Sequence, residues 1–384
     1  MLKIQDYKLP HPLLYLYLNR LIILIGVGSL AIFLPIFLFI EFGYDYVPVM
    51  IYYLVLFALS IILHTFGAMA ISKIGLRKSM ALAILFLVGY FLVFFIYDYY
   101  PHFYLIVLAV LASNFWRTLY WVPFHTDCAK FSSKTNRGKQ YSVFLLLADI
   151  IGILIPVIAG LILNYYNYSA LFIIAMVIIL ASIIPLFKIK KVKETYSYTF
   201  TQTYQELFSR KNRKMLYAYM ADGSETIVGA LIWPIFIFEI LNGEFLAVGA
   251  ISTIIIGVTV MLDIIIGRWA DKFEKKNIVK YSSGFYALGW IIKIFVGTAF
   301  QIFIVSTYHN LTAIFRRLPF DALMYEKAAD QGHYVDEYTV LREIALNIGR
   351  VLMLLFVILL LYYFSIYIAF VLAAITSLFI NILE

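Results

Sequence analysis

The sequence predicts an all-α membrane protein of twelve transmembrane helices in two pseudo-symmetric six-helix bundles. Three observations predict it: an apolar surplus that only lipid can satisfy, basic residues confined to alternate loops, and a set of phrases written twice at nearly constant spacing.

The surplus comes first. The 384 residues are 64% hydrophobic and 14% charged, with a mean hydropathy of +0.91, whereas a soluble domain is about half apolar and a quarter charged. Apolar runs of about twenty residues match the length a helix needs to cross the hydrocarbon. A membrane β-barrel would show short alternating segments, and "LIILIGVGSLAIFLPIFLFI" does not alternate. Twelve stretches qualify as spans: 13–41, 47–72, 79–97, 102–127, 140–164, 169–187, 214–241, 246–266, 279–297, 300–325, 338–362 and 365–383.

Charge then orients them. Lys3, Lys8 and Arg20 precede or open the first span; Lys73, Arg77 and Lys78 fill the second loop; Lys130, Lys134, Arg137 and Lys139 the fourth. The central connection carries Lys188, Lys190, Lys191, Lys193, Arg210, Lys211, Arg213 and Lys214. Arg268, Lys272, Lys275, Lys276 and Lys280 surround the eighth loop, and Lys327 and Arg342 the tenth. The intervening loops carry acids: Glu41, Asp45, Asp98 and Glu244. Positive loops face the cytoplasm, so both termini are expected there, in a multi-pass protein of the cell membrane. "MLKIQDYKLPHPLL" has no small-residue cleavage site and reads as a cytoplasmic tail. The net charge of +8 is accounted for by these loops and implies no nucleic acid. The one cysteine, Cys128, forms no internal disulfide.

The repeat divides the chain. "QYSVFLLLADIIG" (140–152) is echoed by "EYTVLREIALNIG" (337–349), placing Tyr141 and Tyr338, and Gly152 and Gly349, 197 residues apart. "VPF" at 122–124 matches "LPF" at 318–320, Asn114 matches Asn310, and "PIFLF" at 35–39 matches "PIFIF" at 234–238. The expected domains are a first six-helix bundle at 1–187, a cytoplasmic linker at 188–213 and a second bundle at 214–384. Parallel six-span repeats describe a transporter plan with the substrate site between the halves.

On these features the chain resembles the major facilitator superfamily over essentially its whole length. The family's loop signature is approximately G-x-L-x-D-R-x-G-R-K. It is matched by "GRWADKFEKK" through Gly267, Asp271 and Lys272, and by "AMAISKIGLRK" through Lys73, Gly75 and Arg77. Ala68 and Ser72 stand where glycine and aspartate are expected. The resemblance implies a cytoplasmic latch at these six residues; topology alone would also account for the bases. It further implies that spans 1, 4, 7 and 10 line a central cavity, with 5 and 11 beside it.

Charges inside the spans locate the site. A buried charge at bilayer depth costs roughly 2.5 kcal/mol or more, so it faces a cavity or a partner. Glu343, Asn347 and Arg350 form one stripe at i, i+4 and i+7, with Arg350 about 18 Å into its span. The first copy has apolar residues at these positions and carries Asp149 opposite Leu346 instead. Charges that ignore the repeat look like specialisation of a site. The fourth span carries Asn114 and Arg117 on the face of Trp121 and His125; the seventh carries Asp222 and Glu225; the tenth carries Asn310, Arg316, Arg317 and Asp321. The last three also read as a structural ion-pair cluster, and His64 and His309 as hydrogen-bonded interior histidines. Lys293 reads as peripheral, snorkelling outward from the end of its span.

Desolvation disfavours an ionised acid in the membrane, so such a group can take a proton on one side and release it on the other. Asp149, Asp222 and Glu225 are the coupling candidates, with Arg350 and its neighbours as substrate contacts. The leading expectation is a proton-coupled symport-type transporter of a small polar solute, monomeric and without cofactor beyond a proton or sodium gradient. An alternative is proton-driven efflux of amphipathic compounds: "GILIPVIAG" (Gly152, Pro156, Gly160) looks like a degraded form of the antiporter signature. A non-transporting receptor or scaffold fits the same fold. No phosphate loop or H-E-x-x-H zinc motif supports an enzyme.

Overall fold

The computed structural model describes residues 9–132, 137–189, 196–270, 275–330 and 335–379. Side chains are described except at 129, 137–139, 141–142, 266–270, 275–281, 316–330 and 335–336. The described residues are helical throughout, with no strand. In lipid this follows from the backbone, whose N–H and C=O groups a helix satisfies internally. Nine helices among these residues are long and apolar enough to cross a membrane, and Ile368–Leu378 is a shorter apolar one.

The first span is α1 (His11–Ala31) and α2 (Phe33–Glu41), followed by α3 (Tyr46–Ile74), α4 (Leu76–Tyr99), α5 (Phe103–Phe131), α6 (Arg137–Tyr165), and α7 (Tyr168–Ala181) with α8 (Ile183–Leu186). A short α9 (Phe200–Leu207) follows. The second half has α10 (Arg213–Ile227) and α11 (Trp233–Ile240) joined by a π-helical turn, then α12 (Phe245–Ala270), α13 (Lys275–Ile292), α14 (Ala299–Asp330), α15 (Val335–Leu360) and α16 (Ile368–Leu378). Nine of the expected spans fall on the helices long and apolar enough to cross, while the expected spans 279–297, 300–325 and 365–383 overlap α13, α14 and α16, which are not among the nine.

The repeated phrases "PIFLF" and "PIFIF" mark breaks in both copies. A proline has no N–H for the carbonyl four residues back. Pro35 leaves Ala31, where α1 ends; Pro234 leaves Ala230, inside the π turn Val228–Ile232. Starts are capped where the chain turns: Asp45 accepts from the Val47 N–H, Asn167 from Ala170, and Thr199 and Gln202 form a capping box on α9.

Two crossings hold the halves of the chain together or in shape. Gly223 of α10 and Gly349 of α15 pack backbone to backbone: an added Cβ would fall 2.1 Å from the Leu346 carbonyl and 1.9 Å from that of Met220. The Ser224 hydroxyl donates to the Gly349 carbonyl at 2.9 Å. The second crossing joins α6 of the first half to α12 of the second. There Gly160 and Gly249 approach the carbonyls of Phe245 and Pro156, and the Val157 N–H reaches Thr253 Oγ1 at 3.1 Å. The "GILIPVIAG" stretch is therefore a contact surface between the halves. Between the same halves, α3 lies along α15. Near that pair, α9 stacks Phe200 on Phe66, the Tyr204 hydroxyl donates to the Ile61 carbonyl, and the Ser197 N–H donates to Glu337.

Candidate functional site: a cavity with two arginines

A cavity of about 300 Å³ lies between the halves. Val27, Leu30 and Leu34 of the first span, Tyr53 and Phe57 of α3, Leu87 and Tyr90 of α4, and Ser113, Trp116 and Arg117 of α5 form one wall. Thr226 and Ile227 of α10, Ala230 and Leu231 of the π turn, and Arg350 of α15 form the other. The first, second, third, fourth, seventh and eleventh spans thus line it. The expectation named spans 1, 4, 7 and 10; among the described side chains span 10 contributes none of the residues lining this cavity, and spans 2 and 3 do.

Arg117 and Arg350 approach the ring of Phe57 from opposite halves, their guanidinium carbons 5.3 and 5.0 Å from its centroid. Arg350 donates to Asn347 Oδ1, one turn below, at 2.7 Å. Arg117 Nε is buried without a hydrogen-bond partner. The stripe on α15 turns inward: Glu343 and Asn347 are buried. Glu343 Oε1 lies 2.8 Å from Arg342, whose guanidinium covers the Tyr219 ring. His64 faces the same region. Its Nδ1 donates to the Ser60 carbonyl at 2.7 Å, and its Nε2 has no partner.

A second polar cluster lies inside the second half. Glu225 is 1% exposed and accepts from the Tyr286 hydroxyl at 2.5 Å. Lys293 is 3% exposed, its Nζ 3.9 Å from the ring centre of Trp290 and 4.5 Å from that of Trp233. The Glu225 charge acts on it. His309 packs on Tyr286 and Trp290, with centroids 4.1 and 4.6 Å away. The expectation that Lys293 snorkels outward is corrected: two indole faces and a carboxylate hold it inside. Sequence reasoning missed this cluster, although Tyr286, Trp290 and Lys293 repeat the i, i+4, i+7 spacing of the α15 stripe.

Other expected site residues stand elsewhere. Asn114 is fully buried and spends its amide on structure. It accepts from Ser60 at 2.6 Å and donates to the Leu56 and Val110 carbonyls, tying α3 to α5 outside the cavity. Asp149 is on an exposed face of α6 beside Leu147 and Ile150. The buried face of that helix runs through Phe144, Ile155, Ala159 and Leu163, and residue 149 is out of register with it. Asn310 donates to Thr259 of α12 at 3.2 Å. Asp222 is half-buried, one turn before the cavity-lining Thr226, whose hydroxyl donates to its carbonyl. The side chains of Arg316, Arg317 and Asp321 lie outside the described ones.

At the expected latch, Gly75 makes the turn between α3 and α4 at φ 86°. Lys73 is exposed. Arg77 donates to the Phe187 and Ile189 carbonyls, so it fastens the start of the central connection. Gly267 is on α12, in the stretch 266–270 whose side chains are not described, and Asp271 and Lys272 lie outside the described residues. Among the described residues no group of three or more His, Cys, Asp or Glu is placed to hold a metal ion.

Comparison with known proteins agrees with this architecture. An uncharacterized protein of Bacillus subtilis (strain 168), YqgE, is 22% identical over 247 residues, covering 62% of this chain. The chain spans 56% of that relative's length. Residues 16–306, most of the sequence, match the profile of a family of membrane transporters. The chain belongs to the Major Facilitator Superfamily.

Proposed function

We propose that the protein is a proton-coupled secondary transporter of a small polar solute, working by alternating access of two six-helix bundles. The bundles are residues 1–187 and 214–384, joined by a cytoplasmic connection at 188–213, with both termini in the cytoplasm. The observation that carries this reading is the cavity between the chain halves, with one arginine from each half on its wall. A solute held there contacts both bundles, so its binding energy bears on their relative orientation.

Glu225 is the coupling acid in this reading. It is buried, one residue from the cavity-lining Thr226, and precedes the π turn at which the helix changes pitch. Such turns concentrate at functional sites. The Tyr286 hydroxyl donates to the Glu225 carboxylate, whose charge acts on Lys293; in this reading the acid exchanges its proton as the bundles rearrange around these partners. Efflux of amphipathic compounds is the second reading, favoured by the aromatic wall of Tyr53, Phe57, Tyr90, Phe91 and Trp116.

The test uses purified protein in liposomes with an entrapped pH dye, screened against a panel of metabolites. Wild-type protein should move protons with one class of solute. Glu225→Gln should abolish gradient-driven accumulation while leaving solute exchange measurable. Accumulation indifferent to the pH gradient and to a protonophore overturns proton coupling.

A further inference from the structure

We propose that the cavity takes a small organic anion, an oxyanion head on an apolar body of about one ring, held between Arg117 and Arg350. The proposal deepens the transporter reading above and rests on it.

Charge makes the first argument. Arg350 spends one of its five N–H donors on the neutral Asn347. Arg117 donates no hydrogen bond among the described residues, and its Nε is buried. Among the described residues the acids whose charges reach Arg350 are Glu343 and Asp222. Glu343 is already 2.8 Å from Arg342, and Asp222 does not line the cavity. Among the described residues three guanidiniums therefore face two carboxylates, and the two arginines on the cavity wall meet the face of Phe57 and a neutral amide. The ring of Phe57 compensates each charge only in part. The planar fork of a guanidinium matches a carboxylate or phosphate in two parallel hydrogen bonds. Such a head supplies what the site lacks.

Shape makes the second. The volume is about 300 Å³, room for about ten waters at their liquid volume. Around the arginines the wall is aromatic: Tyr53, Tyr90, Phe91 and Trp116. Rings stack or pack edge-on there, so the remainder of the ligand is apolar and flat or short.

The arrangement also links binding to movement. Arg117 and Arg350 stand on opposite halves, and each charge acts on the other. Like charges across the seam oppose its closure. An anion between them turns that repulsion into attraction, so it binds the closed form more tightly than the open one, which is the differential affinity alternating access requires.

Titration calorimetry on the full chain in lipid nanodiscs tests this with four matched probes: benzoate, phenyl phosphate, benzamide and benzylammonium. At least one of the two anions should bind, and which one does identifies the head as carboxylate or phosphate. Benzamide and benzylammonium should bind at least about tenfold more weakly, the scale of one charge-assisted hydrogen bond. Arg117→Gln and Arg350→Gln should each weaken the anion by a similar factor. Arg117→Lys, which keeps the charge and loses the fork, should fall between, and the exposed Lys214→Gln should change nothing. The comparison among probes needs no variant, so a misfolded substitution does not rescue the idea. The inference is overturned if neither anion binds, if benzamide or benzylammonium binds as tightly, or if both glutamine variants keep wild-type affinity. If a neutral or cationic solute is instead accumulated in a Glu225-dependent way, this inference fails and the transporter reading stands. Anion binding without movement of any solute in liposomes would sustain the anion site and overturn the transporter reading.

Discussion

Lys293 and Arg350 are both bases deep in the protein, and their surroundings differ in kind. Lys293 has two indoles and the charge of Glu225 around it; Arg350 has a phenyl face, an amide and open cavity. The first is a closed arrangement and the second an unfinished one. Breaking one partner of a buried charge pair leaves the other uncompensated and costs about 3–5 kcal/mol. Lys293→Met should therefore lower the thermal stability of the purified protein sharply, whereas Lys293→Met combined with Glu225→Gln should recover most of the loss. Additive effects in that cycle would mean the two groups do not interact. At this scale the sequence was legible where a residue's spacing carried the signal. The stripe of Glu343, Asn347 and Arg350 could be turned inward by helical periodicity alone. Asn114 and Asp149 could not be placed that way. Depth in a span says nothing of what a side chain meets. Asn114 finds the Ser60 hydroxyl and two carbonyls, and Asp149 sits off the buried register of its helix. Lys293 was misjudged because position near a helix end outweighed the aromatic stripe leading to it.

Among the helices, the repeated phrase has two outcomes. It ends in Gly152 in the first copy and Gly349 in the second, yet a Cβ added at Gly152 meets nothing within 4 Å while one at Gly349 strikes the Met220 carbonyl at 1.9 Å. Backbone on both sides leaves no flexible group to yield. Gly349→Ala should force α10 and α15 apart, at a cost of about 1–3 kcal/mol from overpacking, with a lower melting temperature and impaired solute movement. Gly152→Ala should be neutral or slightly stabilising, because alanine in a helix interior is favoured over glycine by about 0.5–1 kcal/mol. A melting temperature unchanged by Gly349→Ala would show the crossing to be looser than described. The repeat was visible because it fixes where helices lie, including the proline breaks after Ala31 and at Ala230. Which pairs of helices press their backbones together depends on partners distant in sequence, and no local pattern marks that.

Across the whole molecule, different helix pairs join the two halves of the chain towards the two ends. Towards the basic loops α3 runs along α15, with α9 and the Ser197–Glu337 bond near that seam. Towards the acidic loops α6 crosses α12, Phe33 and Tyr168 pack on Phe245, and the Tyr46 hydroxyl donates to Glu239. A transporter must release these sets in turn. The glycine crossing has no side chains to exchange and suits a pivot, whereas the Tyr46–Glu239 bond is a tie that a small rotation breaks. A hydrogen bond to a charged group contributes about 1.5–3 kcal/mol, so Tyr46→Phe should raise the population open at the acidic-loop end by about tenfold or more. The readout is a Thr226→Cys reporter on the cavity wall in a Cys128→Ser background, labelled with a membrane-impermeant maleimide from the acidic-loop side. Its labelling rate should rise with Tyr46→Phe, and labelling from the basic-loop side should fall. Equal rates from both sides with and without the tyrosine hydroxyl would remove this bond from the gate and leave the aromatic contacts on Phe245 to hold that end.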